Sequence, residues 1–461
     1  MHSKLNGMGM SCGSRGSWKT RRLVSATAVA SVLGWSAAAQ AAVYNVYTNS
    51  SSGNGTMTKN ANDGFCSLAE AIDSVNAGSP QWNCVDSFPG SNAIIQLWEG
   101  PGRPFAQNHF VIAQTPTQNT LTITADVTLA GNGAYIDSTT TSALTISSSA
   151  SVEISGVTMA YTGTNGGRLI HNSGELAIFS STLKNGNVTP LLGGLGGAIY
   201  NASTGVISYL GVDVSLIGNK AKRGGAIYNS AGRIDNLRGL IQGNSATMAG
   251  GGIYNLSTAF SGGPSNGIIY ANGVTITKNS AKAGGGLFNR GYFQMTGGSI
   301  TLNNVSGTGS GETCNGSQSC DGAGGGVVSA PASSTLAAGF NTMGGVTISA
   351  NTASGLGGAI YTAGQLSLTG VTLVDNRASS GAAVYSVPQG ISFYCQIGSG
   401  ATFTNNAVTV SGGYSILDGL ALQPNTDFDR CTFSNVVASG NTPPRCNPNM
   451  LFPGSVCPQP N

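Results

Sequence analysis

Residues able to do acid–base or nucleophilic chemistry are scarce in this sequence: of 461 residues only 8% are charged, against about 25% in an average soluble domain. A glycoside hydrolase or polysaccharide lyase needs carboxylates converging on one wall, or calcium ligands beside an Arg or Lys. Asp213 stands six residues before Asn219, Asp235 nine before Asn244 and Asp375 one before Asn376. The three therefore fall at different places relative to a recurring asparagine, do not stack, and are expected to be solvated turn or edge residues. Past the first 41 residues the histidines are His109 and His171, so a Ser-His-Asp site or a multi-histidine metal site would have to use one of them. The runs Gly250-Gly251-Gly252, Gly284-Gly285-Gly286 and Gly324-Gly325-Gly326 recur with the repeat and are corner chemistry rather than a phosphate loop. No metal and no cofactor is expected. A net charge of +3 without a basic stripe argues against nucleic acid as a partner.

What positions these residues is a repeat. Gly-Gly-(Ala/Gly)-aliphatic-aromatic-Asn occurs at 196–201, 224–229, 250–255 and 284–289, with looser copies at 169–172, 324–328, 357–361 and 381–385. Its aliphatic positions are separated by 29, 28, 26, 34, 40, 33 and 24 residues, the size of a solenoid unit. A second element, an aliphatic or aromatic residue, two variable residues and then Asn, ends at Asn219, Asn244, Asn279, Asn303, Asn351, Asn376 and Asn406. Between them run alternating segments such as Gly273-Val274-Thr275-Ile276-Thr277, the period of two of a strand. With 70 glycines and no helical period in the repeats, the reading is all-β, a right-handed parallel β-helix (a pectin-lyase-like solenoid). Aliphatic residues of successive coils point inward, and the asparagines pass hydrogen bonds from coil to coil. The longer steps come from insertions, one of them Ser306 to Asp321.

Alternation then turns Tyr200, Tyr228, Tyr254, Phe288, Tyr361 and Tyr385 outward as a stripe, with coils about 4.8 Å apart. Such a stripe could bind sugars or a protein partner. The competing reading is mutual stacking that stabilises the sheet.

The ends differ from the middle. Residues 1–41 have the form of a secretory signal: Lys19, Arg21 and Arg22, the apolar run Leu23 to Trp35, and Ala39-Gln40-Ala41 for cleavage. Residues 42–92 are expected to form an N-terminal cap, with Ser67 and Glu70 as a capping box of a short helix that turns Leu68, Ala71, Ile72 and Val75 to one face. Residues 93–410 would hold the β-helix and 411–461 a C-terminal cap with a Pro- and Cys-rich tail. Eight of nine cysteines follow the signal, an even number in an exported chain, so disulfides are the default. They form local couples: Cys66 with Cys84, Cys314 with Cys320, Cys395 with Cys431, and Cys446 with Cys457. Eight cysteines allow 105 connectivities, and local pairing is favoured because distance along a solenoid follows distance in sequence. No segment is apolar and long enough for a transmembrane helix.

Two resemblances follow from these residues. The Gly-Gly-Ala-Ile and Phe-x-x-Asn elements resemble the repeats of chlamydial polymorphic outer membrane proteins, which implies a β-helical surface adhesin. Cys66-Ser67-Leu68-Ala69-Glu70-Ala71-Ile72 resembles the Cys-Ser-Leu-Arg-Glu-Ala-Ile motif that opens many exported bacterial β-helix proteins, with Ala69 in place of Arg. Residues 411–461 are too short for the membrane barrel that ends the chlamydial proteins, so self-anchoring is not expected. The leading expectation is an extracellular or cell-surface scaffold binding a glycan or a protein; a polysaccharide-active enzyme and a purely structural protein are the alternatives.

Overall fold

The computed structural model describes residues 42–47, 55–56, 66–81, 84, 93–98, 109–112, 120–191, 193–258, 266–315, 318–331, 339–387, 395–409, 417–419, 431–433 and 435–442. The expected signal at 1–41 and the pair Cys446 and Cys457 lie outside them.

One coil shows how the chain winds. From Ile227–Ser230 on wall 4 it passes to Arg233–Leu237 on wall 1, Leu240–Gln242 on wall 2, Ser245–Ala249 on wall 3, and returns to wall 4 at Ile253–Leu256, one level further along. Every wall pairing is parallel, as in Ile227 beside Ile253 and Ile241 beside Ile276. Among the described residues walls 1 and 2 merge into a 24-stranded sheet because Val127–Ser138 and Ser151–Tyr161 run through both, while wall 4 has 11 strands and wall 3 has 7. The protein is a right-handed parallel β-helix, and its coils reach beyond 93–410 at both ends. Val43–Tyr47 pairs with Ala93–Trp98 on wall 1, and Val437–Ser439 pairs with Thr402–Thr404 on wall 2. The strand pattern of 43–47 was too short and isolated to mark it as a coil.

The repeat supplies the core. Ile199, Ile227, Ile253, Leu287, Val327, Ile360 and Val384 lie in register and are fully buried, each worth about 1.5–3 kcal/mol relative to exposure. Corners explain the glycine pairs. Gly250 has φ 67°, the left-handed region a side chain disfavours. At Gly251 an added Cβ would lie 2.3 Å from the carbonyl oxygen of Gly285 in the next coil, a clash with backbone.

Two asparagine ladders run inside the corners. Along Asn219, Asn244, Asn279, Asn303, Asn351, Asn376, Asn406 and Asn441 each side-chain amide donates to the next at 2.9–3.0 Å. Each oxygen also takes the backbone N–H of the preceding ladder residue, as Asn279 does from Asn244 at 2.9 Å. The second ladder runs Asn172, Asn201, Asn229, Asn255, Asn289 and Asn341 at 2.7–3.1 Å. A head-to-tail chain leaves one acceptor and one donor over. Here these are Asn172 Oδ1 and Asn341 Nδ2, both buried without a partner. Each internal bond contributes about 1 kcal/mol net, and losing one partner costs more because the other stays buried.

Helix α1 spans Leu68–Ala77 at the N-terminal end. Ser67 caps it through the Glu70 amide, Glu70 reaches back to the Ser67 amide, and Gly78 closes it in the left-handed conformation. Its buried face holds Leu68, Ala71, Ile72 and Val75. Asn76 ties it to the first wall 4 strand, donating to the Thr122 carbonyl and accepting from the Thr124 amide, both at 2.8 Å. Cys66 is bonded to Cys84 and Cys314 to Cys320. Cys395 is also disulfide-bonded, on a strand where it stands in register with Cys431.

Candidate functional site

The aromatic positions of wall 4 do stand in one column and on the side of the strand away from the core. Ring centroids are 5.6 Å apart for Tyr200 and Tyr228, 5.1 Å for Tyr228 and Tyr254, 5.1 Å for Tyr254 and Phe288, and 5.6 Å for Tyr361 and Tyr385, with interplanar angles from 4° to 14°. Val328 holds the place between Phe288 and Tyr361. Since each ring lies on its neighbour, the faces that could stack on a ligand are used within the column. The expected open stripe is corrected on this point: Tyr228, Tyr254, Phe288, Tyr361 and Tyr385 are buried, and only Tyr200 is partly open.

Around Tyr254 and Phe288 the cover is the insertion at 306–321. It folds back over the column as a strap, closed on itself by the antiparallel strands Thr313–Asn315 and Gln318–Ser319 and the Cys314–Cys320 disulfide. Both sulfurs join the rings in a second apolar cluster, separate from the core. Glu312 fastens it. One carboxylate oxygen pairs with the Arg223 guanidinium, and the other accepts from Arg290 Nη2 at 2.9 Å and from the Tyr254 hydroxyl at 3.1 Å. Arg290 also donates to the carbonyls of Thr313 and Pro331 and to the Tyr254 hydroxyl, and lies over the Phe288 ring. Arg223 sits on the coil of Tyr228 and Arg290 on that of Phe288, so one carboxylate clamps three coils. Burial pushes the Tyr228 hydroxyl up to about 12 and that of Tyr254 higher, helped by the Glu312 charge; both stay neutral, and Tyr254 donates to Glu312.

Upstream the column ends at His171, which stands in register with Tyr200 at 4.9 Å between ring centres, with Arg168 over the Tyr200 ring. Burial, and then Arg168, hold the His171 imidazole below its usual range.

The acids do not converge. Asp213 bonds the Ser180 hydroxyl at the corner of walls 1 and 2, Asp235 pairs with Arg233 on wall 1, and Asp375, with φ 57°, turns the corner of walls 2 and 3. His109 meets Asp137 at 2.8 Å on the outside of wall 2, beside the Tyr135 ring over which Lys184 Nζ lies at 4.8 Å. Sequence reasoning passed over that pair, though the separation of 28 residues is one coil step. It also missed a second column, on the outside of wall 1, where Tyr270, Tyr292 and Phe340 are spaced 5.7 and 5.3 Å apart and half-buried. Among the described residues no group of three or more His, Cys, Asp or Glu could hold a metal, and no helix is long and apolar enough to cross a membrane.

Coils of this form, with glycine corners, an inward aliphatic and a stacked outward aromatic, define a repeat-built parallel β-helix. The family model of the Chlamydia polymorphic membrane protein repeat matches residues 213–230 and 345–363. Each match ends on the return to wall 4, through Ile227-Tyr228 and Ile360-Tyr361 respectively, so the chain is a β-helix protein carrying repeats of that kind. No curated protein matches the chain, and no solved structure does.

Proposed function

We propose that the chain is exported to the cell surface or beyond it and acts as an adhesin-like binding scaffold. The observation that carries this reading is the way side chains are presented: a stiff stack repeats the same outward positions coil after coil, while its carboxylates are scattered. The repeat model that matches residues 213–230 and 345–363 is that of a membrane protein, and disulfides on three stretches of the chain suit an oxidising compartment. Repetition along an axis favours extended partners, since each coil adds the same contact.

The test is to express residues 42–461, apply them to a panel of glycans and extracellular-matrix proteins, and in parallel assay pectin, alginate and chondroitin for reducing ends or unsaturated products. Saturable binding without product release supports the reading. Release above a blank would replace it with the lyase or hydrolase alternative, and neither binding nor release would leave the structural-protein alternative.

A further inference from the structure

Charge is divided along the axis of the β-helix. On the outer faces of walls 1 and 2 the early coils carry Glu153, Glu175, Lys184, Arg233 and Asp235, besides His109 and Asp137. Among the described residues the strands of the same two walls from Ile268 onward carry none. Wall 1 presents Ile268, Tyr270, Tyr292, Gln294, Phe340, Thr342 and Ser367. Up to Thr404 wall 2 carries hydroxyls in pairs flanking a buried apolar residue: Thr275 and Thr277, Ser299 and Thr301, Thr347 and Ser349, Thr402 and Thr404, with Thr277 itself buried and Val374 standing opposite Thr372 in its pair.

The parallel register stacks these pairs into two rows, Thr275 beside Ser299, Ser299 beside Thr347, Thr347 beside Thr372, and Thr372 beside Thr402. Rows recur about every 4.8 Å along the axis and lie roughly 6.6 Å apart across it, twice the rise per strand residue. Thr301 bonds Thr277 and Thr402 bonds Thr372 along the rows, at 3.0 and 3.2 Å. Among the described residues the hydroxyls of Thr275, Ser299, Thr347, Ser349 and Thr404 have no protein partner. On wall 1 the Tyr292 hydroxyl fixes Gln294 at 2.8 Å, so an amide and ring edges border the hydroxyl rows.

We propose that the outer faces of walls 1 and 2 from Ile268 to Thr404 form a binding surface for a neutral, unbranched polysaccharide lying along the helix axis. This deepens the scaffold reading and rests on it. The argument is complementarity of charge and of repeat. An acidic polymer needs Lys or Arg along its length, whereas here they stand only at the border, Arg233 over the Tyr270 ring and Lys278 at the corner after Thr277. A protein interface is centred on aromatic and Arg anchors, whereas here hydroxyls recur coil after coil along wall 2 and the rings are confined to wall 1. A chain of sugars has hydroxyls at a regular interval, no charge, and apolar C–H faces that ring edges and threonine methyls can meet. Each contact is weak, and recurrence along the coils sums them.

The test uses residues 42–461 in sedimentation with insoluble cellulose, chitin and a β-1,3-glucan, with pectate and alginate as acidic polymers, at low and high salt. The variants are Thr347→Glu with Thr404→Glu, and Tyr292→Ala; Lys220→Glu on wall 3 is the control. The expected result is retention on at least one neutral polymer, unchanged by salt because no charge is involved, falling about tenfold or more in the Glu double variant but not in the control. Far-UV circular dichroism and melting of each variant identify loss of fold, and salt insensitivity of the parent is a readout that needs no variant. Binding confined to acidic polymers or proteins, or left intact in the Glu double variant, overturns this assignment and leaves the scaffold reading standing. Self-association abolished by the Glu substitutions overturns it too, making the face an interface between copies. No binding to any polymer or protein defeats both.

Discussion

The protein builds aromatic columns twice, on wall 4 and on wall 1, and treats them in opposite ways. In both, rings on neighbouring coils stand a little over 5 Å apart, and both lie on the side of their strands away from the core. Wall 4 is then sealed: the strap lays a disulfide and the Glu312 clamp across it, and Tyr254 and Phe288 become a second core. On wall 1 the rings of Tyr270, Tyr292 and Phe340 stay half-buried, with Arg233 over the Tyr270 ring at 5.4 Å. Column formation is thus a property of the repeat, and whether a column meets solvent is decided by an insertion elsewhere in the chain. An aromatic stripe in a solenoid marks a binding surface only where nothing folds over it.

The sharpest way to break this comparison is to remove one ring from each column. Tyr254→Ala takes a fully buried ring from under the strap and strips a partner from both Glu312 and Arg290, so it should lower unfolding free energy by about 4 kcal/mol. Tyr292→Ala removes a half-exposed ring and should cost about 1 kcal/mol. Denaturant unfolding of residues 42–461 measures both, and equal losses would mean that the strap adds nothing. Next in size is the clamp. Glu312→Ala leaves Arg290 buried without its counter-charge, at a cost of about 3 kcal/mol. Replacing Arg290 and Glu312 together by Met and Leu should cost less than Glu312→Ala alone, since no charge is then stranded. A double variant as unstable as the sum of the single variants would show that the two do not act as a pair.

How far this could be read from sequence follows the same division. The inward register of Ile227, Ile253 and Ile360, the coil-to-coil asparagine bonds and the Ser67–Glu70 capping box were legible because each is set by local spacing. The burial of the wall 4 column was not. Glu312 lies 89 residues from Arg223 and 58 from Tyr254, and an insertion has no period from which its path could be read. Corner geometry was half legible. Glycines mark the left-handed corner at Gly218 and Gly243, but Lys278, Leu302, Ala350, Asp375 and Asn405 take the same corner with φ of 52° to 57°, held there by the ladder asparagine that follows each. The column on wall 1 escaped notice because Tyr270 and Tyr292 occupy different positions on their strands: Tyr292 pairs with Ile268, and Tyr270 with Gln294.

The smallest expected effect separates the strap from everything beneath it. Asp321 closes the base of the strap, accepting from the amides of Gly309 at 2.9 Å and Ser310 at 2.6 Å. Slight burial works against its charge, but hydrogen bonds from Ser310, Gly309 and Ser319 outweigh this and hold the carboxyl at about 2, against an ordinary 3.8. A carboxyl lowered on folding stabilises the fold above its unfolded value and loses that contribution as pH falls through the folded one. The strap should therefore loosen between pH 4 and pH 2, within the interval from 3.8 to about 2, and only modestly, because the group is largely in water and screened. Amide exchange followed by mass spectrometry should show faster exchange at 309–320 on acidification, after correction for the intrinsic rate, with no change on wall 1 at 268–272. Asp321→Asn should remove the pH dependence and leave the strap at its acid-state protection throughout. Uniform loosening of both walls would mean that acid acts on the whole stack, and the strap would then be no more independent of the coils than the column it covers.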